Sequence, residues 1–359
     1  MTRQTNWRDE LRGAIRTLDA LKTRFPAMEI TGAMRAAAAR HPMCVTPHYA
    51  SLIQTPDFTD PIFAQCVPDG RELLAAPHLA ADPLCEQACS PSPLLIRRYP
   101  DRALLLASGE CGVACRHCFR KRIAAAGAPA LPRVETELDA VAAFLAANPE
   151  IDDVLISGGD PLTLPDKTLD HVLARLRAVK SVKMIRIATR ALAAFPSRVT
   201  APFARMLARR GPVLVNTHFN HPRELAPQAL SAAARLVDAG VLVGSQTVLL
   251  RGVNDDPHVM EALFRALYHN RIRPYYMFQC DLVSGVEHLR TPLKTGLEIM
   301  RHLRKNLSGP AIPNFAVDAP RHGGKIELLP QSLVSETTAG ALLLDGGGKE
   351  FFHPNPAQD

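Results

Sequence analysis

"RALLLASGECGVACRHCFRKR" (residues 102–122) holds a strand and a cysteine loop back to back. Its first seven residues, "RALLLAS", form a short apolar run of strand length. Five more runs of the same kind follow: "DDVLISG" (152–158), "SVKMIRIAT" (181–189), "PVLVNTHF" (212–219), "VLVGSQTVL" (241–249) and "RPYYMFQ" (273–279). A stretch with helical periodicity follows each run, for instance "ETELDAVAAFLAA" (135–147) or "KTLDHVLARLRAV" (167–179). Near-continuous apolar strands alternating with amphipathic helices predict a parallel sheet covered by helices.

A repeat of roughly 30 residues per strand–helix unit suits a curved partial barrel or a doubly wound sheet; both place chemistry at the C-terminal strand ends. Those ends carry "SGGDP", "ATR", "THFNH", "SQT" and "QCD", a polar set that favours a barrel mouth. The expected architecture is therefore α/β: a partial (βα)6 TIM-like barrel over residues 101–310. A mostly helical N-terminal extension occupies 1–100, with helices over Trp7–Arg24 and Ile30–Arg40. Residues 311–359 follow as a segment around Lys325 and a small antiparallel β appendage.

Composition is that of a globular enzyme, with 47% hydrophobic and 21% charged residues. No apolar run approaches the roughly 18 residues of a membrane helix, and the N-terminal stretch has no secretory h-region. The cytoplasm is the expected compartment, where a tight cysteine cluster points to metal binding or catalysis rather than to disulfides. The net charge of +7 permits nucleic-acid binding, but the basic residues are scattered and aromatics are only 5%. Anionic small molecules would reward a basic cleft equally.

Cys111-x3-Cys115-x2-Cys118 follows the first strand directly. Three thiolates with no fourth at knuckle spacing suit a [4Fe-4S] cluster with one open iron; zinc with a distant ligand is the alternative. Further on, "FAVDAPRHGGKIELLP" (315–330) sets Lys325 after two glycines. A lysine held so at a pocket edge can form a Schiff base with pyridoxal phosphate, although a lone lysine is more often a solvated charge. Cys85 and Cys89, with no histidine nearby, read as structural.

The cysteine spacing and its place after the first strand resemble the radical S-adenosylmethionine superfamily. In that superfamily the open iron chelates S-adenosylmethionine, and "LISGGDPL" (155–162) fits the turn that receives the methionine amino group, through Gly158, Gly159 and Asp160. From about Trp7 to Pro330 the chain further resembles the lysine 2,3-aminomutase family. The matching stretches are "RYPDRALLL", "CGVACRHCFRKR", "DVLISGGDPL", "IRIATR", "VNTHFNHP", "QTVLLRGVND", "RPYYMFQCDL", "EHLRTP" and "DAPRHGGK".

The resemblance implies a radical isomerase that uses a [4Fe-4S] cluster, S-adenosylmethionine and pyridoxal phosphate to convert L-lysine to β-lysine. By the same resemblance Lys325 holds pyridoxal phosphate, Arg120 receives the substrate carboxylate, and Asp281 and Asp318 grip the side-chain ammonium. Arg98 and Arg102 are candidates for the phosphate ester, and His218 and Gln246 for lining the cofactor pocket. An external donor of flavodoxin or ferredoxin type would supply electrons, and a homo-oligomer is compatible with the family. Arginine stays open as a substrate, whereas the two aspartates disfavour glutamate. Supply of β-lysine for modifying a translation elongation factor also stays open. The reading from another class is a basic iron–sulfur protein that binds RNA without turnover.

Two departures from the family pattern stand out. Asp256 occupies the place of a zinc-binding cysteine after "GVND", and no cysteine follows Cys280. Structural zinc is accordingly not expected. "RHGG" also replaces a run of four glycines before Lys325.

Overall fold

The computed structural model describes residues 6–123, 132–320, 323–329, 333–337, 340–344 and 348–354. Arg321 and His322 of the "RHGG" turn lie outside the described residues.

A nine-stranded sheet organises the chain. Its strands are β1 (Leu95–Ile96), β2 (Arg102–Ser108), β3 (Asp153–Gly158), β4 (Met184–Thr189), β5 (Val213–His218), β6 (Leu242–Leu249), β7 (Arg273–Gln279), β8 (Asn314–Asp318) and β9 (Lys325–Glu327). Spatial order equals sequence order, with β2 to β8 parallel and antiparallel strands at either edge. A doubly wound sheet would reverse its strand order at a switch point, and none occurs here. The six strands expected from the apolar runs all form, and β8 and β9 carry the sheet on past residue 311.

Pleating explains why the strands read as apolar on both sides. Val154 and Ile156, Ile185 and Ile187, and Val213 and Val215 point outward and are buried beneath helices such as Val134–Ala147, Asp166–Arg177 and Ala201–Arg209. The intervening residues, among them Leu155, Ser157, Arg186 and Leu214, line a large cavity on the other face. A one-residue register slip would exchange these two sets, which pins the strands.

The N-terminal extension differs in detail from the expectation. The stretch Trp7–Arg24 is two helices, Trp7–Arg12 and Leu18–Arg24. Gly13 caps the first, and Thr17 Oγ1 accepts the Ala20 N–H at 3.2 Å to start the second. The break frees Ile15 to bridge Val45, which bridges Val113 in turn. The next helix, Gly32–Arg40, begins after its Thr31 cap rather than at Ile30. Two further bonds, Ala114 N–H to Cys44 O (2.8 Å) and Arg116 N–H to Gln65 O (2.9 Å), tie this segment to the cysteine loop.

At the other end, β10 (Leu333–Glu336), β11 (Gly340–Leu344) and β12 (Glu350–Pro354) form a separate antiparallel sheet, as the alternating tail predicted. Among the described residues no helix is long and apolar enough to cross a membrane.

Candidate functional site

The cavity has a volume of about 920 Å³, and its lining includes the C-terminal strand ends at Gly158, Thr189 and His218. Every site residue expected from the sequence lines it: Cys111, Cys115 and Cys118; Gly158, Gly159 and Asp160; Arg98, Arg102 and Arg120; His218, Gln246, Asp281, Asp318 and Lys325.

The three thiols come from the loop after β2. Burial pushes the Cys118 thiol up to about 11, with the neighbouring Cys115 adding to it. Cys111 is likewise held well above the usual thiol range, by burial first and then by Asp160 and the other two cysteines. Three half-buried cysteines on one loop form a donor set that a soft cationic metal centre would bind as thiolates. Arg190, at the end of β4, donates from Nη1 to Cys115 Sγ at 2.6 Å. Its Nη2 bonds Tyr49 Oη (2.7 Å), Gln65 Oε1 (2.6 Å) and Glu224 Oε1 (2.6 Å).

Beside that loop, the turn after β3 lies hard against its backbone. The N–H groups of Gly159 and Asp160 donate to Ser108 O and Glu110 O, both at 2.6 Å. A Cβ on Gly158 would meet Ser108 O at 2.3 Å, and one on Gly159 would meet Glu110 O at 2.3 Å. Gly158 also has φ +123°, which only glycine adopts comfortably. The glycines therefore let two strand ends touch. Asp160 is buried, and its carboxylate accepts from Leu162 N–H (2.9 Å), Thr189 Oγ1 (2.7 Å) and Arg190 N–H (2.8 Å). It braces the ends of β3 and β4 against each other.

Across the cavity, β8 and β9 bring Asp318 and Lys325 together as paired residues. Lys325 Nζ lies 3.0 Å from Asp318 Oδ1 and 5.0 Å from the Phe278 ring centroid. Tyr99 Oη is buried nearby without a hydrogen-bond partner among the described residues. Asp281, just past β7, has its carboxyl raised to about 7, by burial first and then by Asp318, against the opposing pull of Lys325, Arg120 and Arg98. The two aspartates thus converge on one space although they stand on different strands' ends.

Arg120 also lines the cavity but already has a partner. Its Nε and Nη2 grip Glu86 at 2.8–3.1 Å, and Nη1 reaches Ser157 Oγ at 3.1 Å. Burial alone would raise the Glu86 carboxyl; Arg120 and Arg122 overturn this and hold it at about 2. Arg102 stacks on Tyr99 at 3.8 Å and faces Asp101. On adjacent strands, His218 Nε2 and Gln246 Nε2 lie 2.6 Å apart. Burial, and next Arg190, lower His218 to about 4, so its imidazole is neutral at pH 7.

Arg190, Glu86 and Glu224 are residues that the sequence reading passed over. "IRIATR" showed an arginine at a strand end, but nothing in its spacing says that it reaches a cysteine. Glu86 sits in a Pro-rich stretch with no periodicity, and only tertiary packing brings it to Arg120.

Comparison with known proteins identifies the family. Residues 106–263 match the family model of the radical SAM superfamily, and residues 300–357 match that of lysine-2,3-aminomutase. The chain is 42% identical to the L-lysine 2,3-aminomutase of Clostridium subterminale, over 98% of this chain and 84% of that protein. It is 42% identical to the L-lysine 2,3-aminomutase of Fusobacterium nucleatum, over 97% and 77%. It is also 41% identical to a glutamate 2,3-aminomutase of Clostridioides difficile, over 88% and 74%. Identity of this depth across nearly the whole sequence leaves one conclusion: the chain belongs to the lysine 2,3-aminomutase family of radical SAM isomerases.

Proposed function

We propose that this protein is an L-lysine 2,3-aminomutase, moving the α-amine of lysine to Cβ to give β-lysine. The observation that carries the substrate is the opposition of charge in the cavity. Asp281 and Asp318 face a common space, and Arg120, held by Glu86 and by Ser157 at the end of β3, is the cation that would receive a carboxylate. A molecule with a carboxylate at one end and an ammonium at the other satisfies both. Glutamate would bring an anion to two carboxylates, which the pair repels.

The residues fit the cofactors of this chemistry. Cys111, Cys115 and Cys118 would hold three irons of a [4Fe-4S] cluster, leaving one open for S-adenosylmethionine. Gly158 and Gly159 present a backbone rim beside it, and Asp160 positions that rim. Lys325 would hold pyridoxal phosphate, with Arg98 and Arg102 at its phosphate and His218 and Gln246 along its pocket. When bound, these groups supply a carbon radical and a π-system across which nitrogen can shift.

The protein's own part is to orient and to exclude water. Arg120 and the aspartates fix both ends of the substrate so that its Cβ is held in one place. The curvature of the sheet into a partial (βα)6 barrel, with 1–100 and 311–359 closing its two flanks, would keep the cavity dry enough to protect radicals. An external one-electron donor of flavodoxin or ferredoxin type completes the scheme.

Anaerobic reconstitution with iron, sulfide, pyridoxal phosphate and S-adenosylmethionine tests the reading directly. Lysine should yield β-lysine, and glutamate should yield nothing. Turnover of glutamate, or none of lysine, sinks it.

A further inference from the structure

On the outer surface, far in sequence from every cavity cysteine, His258, Glu261 and His302 gather their ligand atoms within 4.8 Å of one another. His258 and Glu261 stand one turn apart on the helix Pro257–His269, and His302 comes from the helix Leu293–Asn306. The two helices are fixed by buried Met260, Leu263, Phe264 and Leu267 on one, and Ile299, Met300 and Leu303 on the other. The donors therefore hang on rigid elements rather than on a loop.

Local contacts already aim these groups. His302 Nε2 lies 2.7 Å from Glu261 Oε2, and the two imidazoles meet edge to face at 4.7 Å. Arg265, one turn on, donates to Glu261 Oε1 at 2.6 Å, which orients the carboxylate and leaves Oε2 toward the histidines. Such an outer partner is what a ligating carboxylate normally has, although its positive charge opposes a cation. His258 is exposed and Glu261 and His302 half-buried, so an ion can enter and keep water in its remaining positions.

We propose that His258, Glu261 and His302 form a binding site for a divalent transition metal of the zinc class. Two imidazoles and one carboxylate select zinc, cobalt, nickel or copper over calcium and magnesium, which take oxygen ligands. An ion about 2.1 Å from each donor draws them within roughly 4 Å of one another. The donors, now within 4.8 Å of one another, would close by about 1 Å or less on an ion. The site pins two consecutive outer helices and shares no ligand with the cavity.

Cobalt serves as the probe because its spectrum separates nitrogen and oxygen ligands from thiolates. Read as a difference spectrum against the same cluster-reconstituted full-length protein without cobalt, Co2+ should add weak visible d–d bands and no further sulfur charge transfer, and Zn2+ should abolish the difference. His302→Ala, His258→Ala and Glu261→Gln should each weaken Zn2+ binding, measured calorimetrically, by about tenfold or more. Glu261→Gln keeps a hydrogen-bonding side chain, so its loss reads the metal and not the helix contact. Absence of uptake by the parent, or affinity unchanged from the parent in both His258→Ala and His302→Ala, overturns the site.

Discussion

Asp318 and Lys325 are ladder partners across the β8–β9 pair, and the lysine ammonium rests 3.0 Å from the aspartate. The charge that would greet a substrate ammonium is thus held, in the ligand-free protein, by the chain's own lysine. A cofactor bound to Lys325 would compete with that contact.

Lys325→Ala is expected to abolish borohydride-trappable pyridoxal phosphate and all turnover while leaving iron content unchanged. Peptide mapping after reduction checks this. Cofactor trapped on a peptide without residue 325 refutes the assignment.

Cys115→Ala should lose the cluster's visible absorbance and its iron together with activity. It also removes the acceptor of Arg190 Nη1. A double substitution with Arg190→Ala should therefore unfold no more easily than Arg190→Ala alone, as thermal melts of the iron-free proteins will show.

For Asp281→Asn, loss of one charge-assisted hydrogen bond of about 1.5–3 kcal/mol lowers kcat/KM for lysine by about 10- to 150-fold. Iron and pyridoxal contents should match the parent. Parental kinetics with lysine would reduce the aspartate pair to a structural feature.

The same residue predicts a pH dependence. Its carboxyl rises from 3.8 to about 7 on folding, so the protonated form is the one that the folded state favours. That contribution is complete below about pH 4 and is lost as pH climbs through about 7. The ligand-free parent should lose melting temperature relative to Asp281→Asn across this window. Parallel melting curves from pH 5 to pH 8 would count against a buried, titrating Asp281.

Gly159→Ala places a methyl 2.3 Å from Glu110 O, a backbone atom that cannot swing aside. The strand ends must separate, at a cost of about 1–3 kcal/mol. Thermal melts should show the loss, and S-adenosylmethionine binding should weaken with it. An unchanged melting temperature contradicts the close approach.

The parallel sheet was legible because its signal is local and repeated: Val154, Ile156, Ile185 and Ile187 belong to short apolar runs, each followed by a helix pattern. The cysteine loop stood out through its spacing, and Lys325 was singled out by the family resemblance. Convergence of Asp281 with Asp318 depended on β8 and β9 joining the sheet, which no periodicity reveals. Glu86, Arg190 and Glu224 escaped for a related reason. Each is an ordinary charged residue whose meaning comes from burial beside a partner far away in sequence. The break between the first two helices could have been read, since Gly13 and Thr17 are stop and start signals in plain view.

Val45 bridges Ile15 on one side and Val113 on the other, and Cys44 and Gln65 hold the loop that carries the three thiols. Those ties make the colour of the protein a gauge of assembly. A chain whose N-terminal segment has not docked presents its thiols on an unbraced loop. Shortening this protein from the front should therefore cost it its colour.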